Sequence, residues 1–270
     1  MQSAAIPGRE IGVFDSGVGG FTVLRELREL LPQARLRYLA DTAYAPYGNL
    51  SPEAIRARSF AITAHLLARG AGLVVIACNT ATAHAIEALR AHWPGVPFVG
   101  TEPGIKPAVA ATRNGRIGLL ATPATAASPR LRALIERHAQ GREVVVQGCP
   151  GIVDHIEAGD LDSQALRELV ERHCTPLRAV GVDTALLGCT HYPLIERLWQ
   201  AALGPHVKLL RIETAVARRA VDLWVPAPGS QPALQIETSG DPRALGDWVE
   251  RVLGWRGPDV HAWQPENAAP

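Results

Sequence analysis

Cys78 and Cys189 close two segments of matching pattern, Leu73-Val74-Val75-Ile76-Ala77-Cys78-Asn79-Thr80 and Thr184-Ala185-Leu186-Leu187-Gly188-Cys189-Thr190-His191. Each is an apolar run, a small residue, a cysteine and two polar residues. A thiolate is a usable base as well as a nucleophile. Two matched thiols can face one carbon from opposite sides, one taking a proton and the other returning one, which inverts that carbon. Singly, a cysteine after an apolar strand is more often a buried, inert thiol. The repeated surroundings are what point to chemistry. If Cys78 opens a helix, its pKa is expected to fall and thiolate to be favoured. His191, two residues past Cys189, can hold or pass a proton at the same place.

Other residues surround this pair. Asn79, Thr80 and Thr190 offer side-chain donors to a carboxylate. Asp15-Ser16-Gly17-Val18-Gly19-Gly20 joins a strand to a helix; glycines there permit a tight turn and close approach, and the helix N-terminus favours an anion. The segment lacks G-x-G-x-x-G spacing and a P-loop lysine, and on its own reads equally as a plain turn capped by Asp15. Tyr44-Ala45-Pro46-Tyr47-Gly48-Asn49 can present a phenol and backbone N–H groups to a ligand, although such a loop is usually only a turn. No metal site is expected, because Cys-x-His and the Cys78/His84 spacing lack the pattern of structural zinc. Cys149 and Cys174 read as packing residues.

These residues need strands that end at them. The apolar runs at 10–14, 35–39, 73–77, 96–99, 116–121, 143–148, 183–187, 207–211 and 233–237 are expected strands. Helices are expected at 21–31, 52–69, 80–92, 104–112, 125–139, 163–179, 193–203, 213–224 and 242–253. Ser51-Pro52 is a helix start, and Pro32 and Gly70 are stops. Strand–helix alternation implies an α/β fold with mainly parallel sheets. Ligands of such sheets bind at strand C-termini, so two α/β units face to face would bring both cysteines to one cleft. The last dozen residues, rich in Pro and Trp, read as a loose or docked tail.

Composition excludes several functions. The 270 residues carry a formal charge of +1, with no basic stripe for nucleic acid. The first ten residues show no signal-peptide core, and no apolar run approaches the roughly 18–20 residues of a membrane span. A cytoplasmic protein without a disulfide framework is expected. Lys106 and Lys208 are the only lysines, which disfavours pyridoxal phosphate chemistry.

The segments at 12–26 (GVFDSGVGGFTVLRE), 41–51 (DTAYAPYGNLS), 77–83 (ACNTATA), 100–108 (GTEPGIKPA), 121–128 (ATPATAAS), 149–159 (CPGIVDHIEAG), 183–194 (DTALLGCTHYPL) and 237–242 (ETSGDP) resemble the cofactor-independent aspartate/glutamate racemase family, glutamate racemases in particular. They follow the family's order over nearly the whole chain. The resemblance implies Cys78 and Cys189 as catalytic thiols, with Asp15 and His191 as their polar helpers. It implies Asp15, Ser16, Tyr47, Gly48, Asn79, Thr80, Thr190 and His191 as substrate contacts and Glu157 as a supporting carboxylate. It also implies two pseudo-symmetric α/β domains, residues 1–101 plus 211–270 and residues 102–210, with the site between them. The implied function is interconversion of L- and D-glutamate without cofactor or metal, Cys78 acting on the D and Cys189 on the L enantiomer, to supply peptidoglycan synthesis in a bacterium. Small-molecule glutamate is the implied partner, with no nucleic acid or membrane; a homodimer is left open. Two departures stand out: Pro129-Arg130 where larger or aromatic residues are common, and Ile212-Glu213-Thr214 where an Asp is common.

Rival readings remain open. A Cys189–His191 thiol hydrolase leaves Cys78 unexplained. A relative acting on aspartate, a hydantoin or an arylmalonate shares part of the pattern, and a decarboxylase of that kind needs one cysteine. A non-catalytic carboxylate-binding or thiol-sensing protein needs no turnover.

Overall fold

The computed structural model describes residues 10–229, 231–257 and 259–265. The expectation of no signal-peptide core falls largely on residues 1–9, outside the described residues, as do the last five residues of the tail. Among those described, the strands are β1 (Glu10–Asp15), β2 (Arg35–Ala40), β3 (Ala71–Ile76), β4 (Phe98–Gly100), β5 (Arg116–Ala121), β6 (Glu143–Gly148), β7 (Thr184–Leu187), β8 (Lys208–Leu210), β9 (Ala233–Thr238) and β10 (Val260–Ala262). They form two sheets, ordered β10-β9-β2-β1-β3-β4 and β6-β5-β7-β8. Every pairing is parallel, as expected for strands joined by helices.

The helices are α1 (Phe21–Leu30), α2 (Pro52–Ala68), α3 (Asn79–His92), α4 (Ile105–Ala111), α5 (Pro123–Ala126), α6 (Pro129–His138), α7 (Ile152–Glu157), α8 (Gln164–Val180), α9 (Glu196–Leu203), α10 (Glu213–Leu223) and α11 (Pro242–Trp248). Their starts follow from local chemistry. Ser51 accepts from Ala54 N–H at 3.2 Å ahead of Pro52, and Ser163 accepts from Leu166 N–H at 3.2 Å. α8 stops at Gly181, whose φ of +74° suits glycine.

Strand side chains alternate between faces, and both faces are covered. Leu73, Val75 and Ala77 enter a large core that also holds Ala185, Leu187 and Tyr192 of the second sheet region. Val74 and Ile76 pack on the other face with Ile55, Ile62 and Ile86. Leu119 and Leu186 pack with Ile105 and Leu131. The shared core ties the two sheets together on one side.

Two expectations are corrected, one element was not foreseen, and the tail takes the docked form of its two expected alternatives. The helix expected at 125–139 is two, α5 and α6, because Ser128 caps Leu131 N–H at 3.2 Å and Pro129 restarts the chain. The helix expected at 193–203 opens with a 3₁₀ turn, Tyr192–Ile195. α7 was not expected; six residues are too few to show a helical period. The tail carries β10, and Trp263, 6 % exposed, donates its backbone N–H to Thr238 O at 2.7 Å.

Candidate active site

Cys78 and Cys189 occupy equivalent places. Each lies two residues beyond the end of an inner strand, β3 and β7, and each is 5 % exposed. Gly188 is required by packing, since a Cβ there would lie 2.8 Å from Leu120 O. Beyond the cysteines the two copies diverge. α3 begins at once, and Cys78 is its N-cap, with Sγ accepting from Ala81 N–H at 3.3 Å. After Cys189 only the 3₁₀ turn follows, and its thiol meets His191 Nδ1 at 3.7 Å instead.

The expected lowering of the Cys78 pKa is overturned. Burial dominates, the Asp15 charge adds to it, and the Ala81 N–H and Ser16 hydroxyl only partly offset them; the thiol is pushed up to about 12. Cys78 Sγ–H reaches Ser16 Oγ at 3.6 Å. A helix N-terminus acts within its first turn, but full removal from water disfavours the thiolate more.

His191 is buried between Cys189 and Glu157. Burial alone would lower its pKa, yet the hydrogen bonds to Cys189 and Glu157 outweigh it and hold the imidazole well above its usual range. Nε2 lies 2.5 Å from Glu157 Oε1 and 3.2 Å from Gly19 N. One nitrogen cannot both donate to the carboxylate and accept from Gly19. The shorter, charge-assisted contact with Glu157 decides for an Nε2–H donor.

The Asp15–Gly20 loop was expected to offer its N–H groups to an anion. The anion found there is the protein's own: Glu157 Oε1 accepts from Val18 N–H at 2.8 Å. The glycines permit this approach, because a Cβ at Gly17 would fall inside the Glu157 carboxylate and one at Gly19 inside the His191 ring. Glu157 ends α7, which Trp248 braces by donating Nε1–H to Ile156 O at 3.0 Å. Asp15 Oδ1 accepts from Gly17 N–H at 2.9 Å, and its Oδ2 accepts from Thr190 Oγ1 at 2.9 Å. Burial raises the Asp15 pKa, while His191 pulls it back.

The remaining residues surround this chain. Asn79 donates Nδ2–H to Thr101 O at 3.0 Å, and its Oδ1 is buried without a partner among the described residues. Thr80 Oγ1 lies 2.9 Å from Thr122 Oγ1 and 3.1 Å from Thr125 Oγ1. A Cβ on Gly48 would lie 2.9 Å from Thr122 Cβ. The Tyr47 phenol, expected to face a ligand, donates to Asp41 Oδ2 at 2.5 Å. Asp15, Ser16, Cys78 and Thr190 are thus bonded to one another, Cys189, His191 and Glu157 form a second set against the Asp15–Gly20 loop, and Tyr47, Gly48, Asn79 and Thr80 meet Asp41, Thr101 and the Thr122–Thr125 pair. Thr122, Thr125 and Asp41 are additions that sequence reasoning passed over: the TPAT run marks a helix start, and nothing in the sequence places it opposite Thr80. Among the described residues no group of three or more His, Cys, Asp or Glu side chains could hold a metal, and no helix is long and apolar enough to cross a membrane.

Cys149 and Cys174 are buried thiols outside the network; burial pushes Cys174 up to about 12 and Cys149 higher. Both match packing residues.

Comparison with known proteins gives four matches of use here. The profile of the Asp/Glu/Hydantoin racemase family matches residues 21–220. A glutamate racemase of Herpetosiphon aurantiacus is 50 % identical over 238 residues, covering 86 % of this chain and 93 % of its own length. Among solved structures, the glutamate racemase isoform RacE1 of Bacillus anthracis superposes with a TM-score of 0.86 at 30 % identity, covering 94 % of this chain and 97 % of that one. The Escherichia coli glutamate racemase, solved with L-glutamate and the activator UDP-MurNAc-Ala, gives 0.83 at 32 % identity, again covering 94 % and 97 %.

Proposed function

The chain belongs to the Asp/Glu/Hydantoin racemase family, and from that premise we propose that it interconverts L- and D-glutamate by two-base catalysis with Cys78 and Cys189. The observation that carries this reading is the equivalence of the two thiols: same position beyond an inner strand, same burial, one shared polar network. Glutamate, rather than aspartate, is supported by the relatives named for it.

An α-proton is a very weak acid, so the site must do more than supply a base. Cys78 takes the proton of D-glutamate and Cys189 that of L-glutamate, and the opposite thiol returns one. Ser16 and the Ala81 N–H hold the charge of an ionised Cys78. His191, oriented by Glu157, supplies positive charge beside Cys189. As Cα is deprotonated, charge moves onto the substrate carboxylate, where backbone N–H groups and the Thr80 hydroxyl would receive it, while Thr190, whose hydroxyl donates to Asp15, contributes through its backbone. The unpartnered Asn79 Oδ1 offers an acceptor to the substrate ammonium. Closure around the substrate excludes water and strengthens each of these interactions. No cofactor enters this scheme.

In this reading residues 1–101 plus 211–270 form the Cys78 domain and residues 102–210 the Cys189 domain, with the substrate between them. The product, D-glutamate, is consumed in bacterial peptidoglycan synthesis in the cytoplasm. Circular dichroism of L-glutamate with the purified protein tests it. The signal is expected to decay to zero without added cofactor. Cys78→Ser and Cys189→Ser should each lose about 10²–10⁴-fold, the usual range for an acid–base group. A persistent signal with the wild-type protein, or full activity in either variant, contradicts it.

A further inference from the structure

Arg58 lies outside the network of expected site residues, yet it is built into the loop that carries two of them. Asp41, at the C-terminal end of β2, is wholly buried. A buried carboxylate is tolerated only when paired and hydrogen-bonded. Arg58 on α2 meets it with two N–H groups, Nε to Oδ2 at 2.9 Å and Nη2 to Oδ1 at 2.7 Å. Asp41 Oδ2 also accepts the Tyr47 phenol. The guanidinium lies 3.9 Å from the Tyr44 ring centroid and 5.2 Å from that of Trp263, and such faces attract a cation. Tyr44 and Tyr47 both belong to the loop; Trp263 belongs to the C-terminal segment. Trp263 is itself fixed, by its N–H to Thr238 O at 2.7 Å and by the His65 ring 5.5 Å away. The end of β9 adds two ties to the loop, Thr238 Oγ1 with Thr42 Oγ1 at 2.7 Å and Ser239 Oγ with Ala43 N–H at 3.2 Å.

We propose that Arg58 is a positioning residue for the Tyr47–Gly48 loop, held in place by the C-terminal segment through Trp263. The segment contributes no expected site residue, but it determines where Gly48 lies against Thr122. The gap there is tight, so a loop that drifts by an ångström no longer meets the substrate and the opposite half together. Because Gly48 is an expected substrate contact and carries no reacting group, a displacement of that size weakens substrate binding and leaves the reacting thiols in place. A lysine at position 58 would keep the charge but lose the two-pronged contact and the ring stacking.

The kinetic part of this inference rests on the glutamate racemase reading; the exchange part does not. The test compares wild type with Arg58→Lys, Trp263→Ala and Trp263→Phe in the full chain. Amide hydrogen exchange over residues 42–50 is expected to quicken about tenfold in Arg58→Lys and Trp263→Ala, with β5 and β7 unchanged, and to stay near wild type in Trp263→Phe. KM for glutamate is expected to rise about tenfold in the first two variants with kcat within about threefold, and the double variant Arg58→Lys/Trp263→Ala should be no worse than Arg58→Lys alone. Unchanged exchange over 42–50 overturns the proposal whatever the substrate proves to be. So does exchange that quickens across all strands alike, or a fall in kcat at constant KM. Inactivity of the wild-type protein toward glutamate would count against the function reading and leave the exchange result to decide this one.

Discussion

Cys78 and Cys189 share a position and differ in chemistry. Cys78 has a helix N-terminus, a serine and a buried carboxylate; Cys189 has the His191 imidazole, whose pKa its bonds to Cys189 and Glu157 raise. The repeat of the cysteine segments was readable from residue types alone, and so was His191 as a neighbour of Cys189. The ionisation of Cys78 was not readable. It depends on Asp15 and on exclusion of water, neither of which is local in sequence. The difference is measurable. In Cys189→Ser, the rate of iodoacetamide alkylation mapped to Cys78 should climb with pH from 7 to 10 without a plateau. The sign follows from the thiolate being the nucleophile: below a pKa of about 12, its fraction grows about tenfold per pH unit. A plateau near neutral pH would mean that the helix N-terminus outweighs burial after all.

At the scale of elements, the strands from β1 to β9 were legible because their apolar runs are short and alternate with helical stretches. β10 was not, because Val260-His261-Ala262 has no pattern apart from its pairing with β9. α7 was hidden for a similar reason, and with it the means by which Glu157 reaches His191; the carboxylate was found only through the family resemblance. The Asp15–Gly20 loop was legible as a strand-to-helix turn, but the side chains that close on it were not. Its glycines do allow a close approach, but by Glu157 and His191 of the other sheet's side. None of Gly17, Gly19 and Gly20 has positive φ, so alanine is refused by neighbours and not by the backbone. Gly19→Ala should therefore cost about 1–3 kcal/mol of stability, the usual penalty for overfilling a packed site, and lower activity about 100-fold by displacing His191. Removing the ring in Gly19→Ala/His191→Ala should recover most of the stability but not the activity. Thermal unfolding and steady-state rates check both; additive losses in stability would contradict the packing explanation.

The whole molecule brings the two sheets together around the cysteines through contacts scattered along the chain. Thr190 meets Asp15, Thr80 meets Thr122 and Thr125, and Arg130 reaches both Glu87, at 2.6 Å, and Glu102. Arg130 had been noted only as a departure from the family pattern; the structure makes it an ion-pair link across the two halves. That link is partly exposed and screened by salt, whereas the Asp15–Thr190 contact is buried and joins the carboxylate beside Cys78 to the residue that follows Cys189. Strand–helix alternation predicted mainly parallel sheets, but no sequence feature predicted which residues would meet across them. The central claim is that two thiols act on opposite faces of one carbon. It is tested most directly by running the reaction in deuterated water from protiated L-glutamate and analysing both enantiomers at about 5 % conversion. With a separate donor on each face, the D-glutamate formed first should carry deuterium at Cα while unreacted L-glutamate stays protiated, because the hydrogen delivered to the new face comes from Cys78, already exchanged with solvent, whereas the proton taken by Cys189 can return only to the L face. Protium in the new D-glutamate, or deuterium accumulating equally in the recovered L-glutamate, would point to a single base serving both faces and would contradict the account.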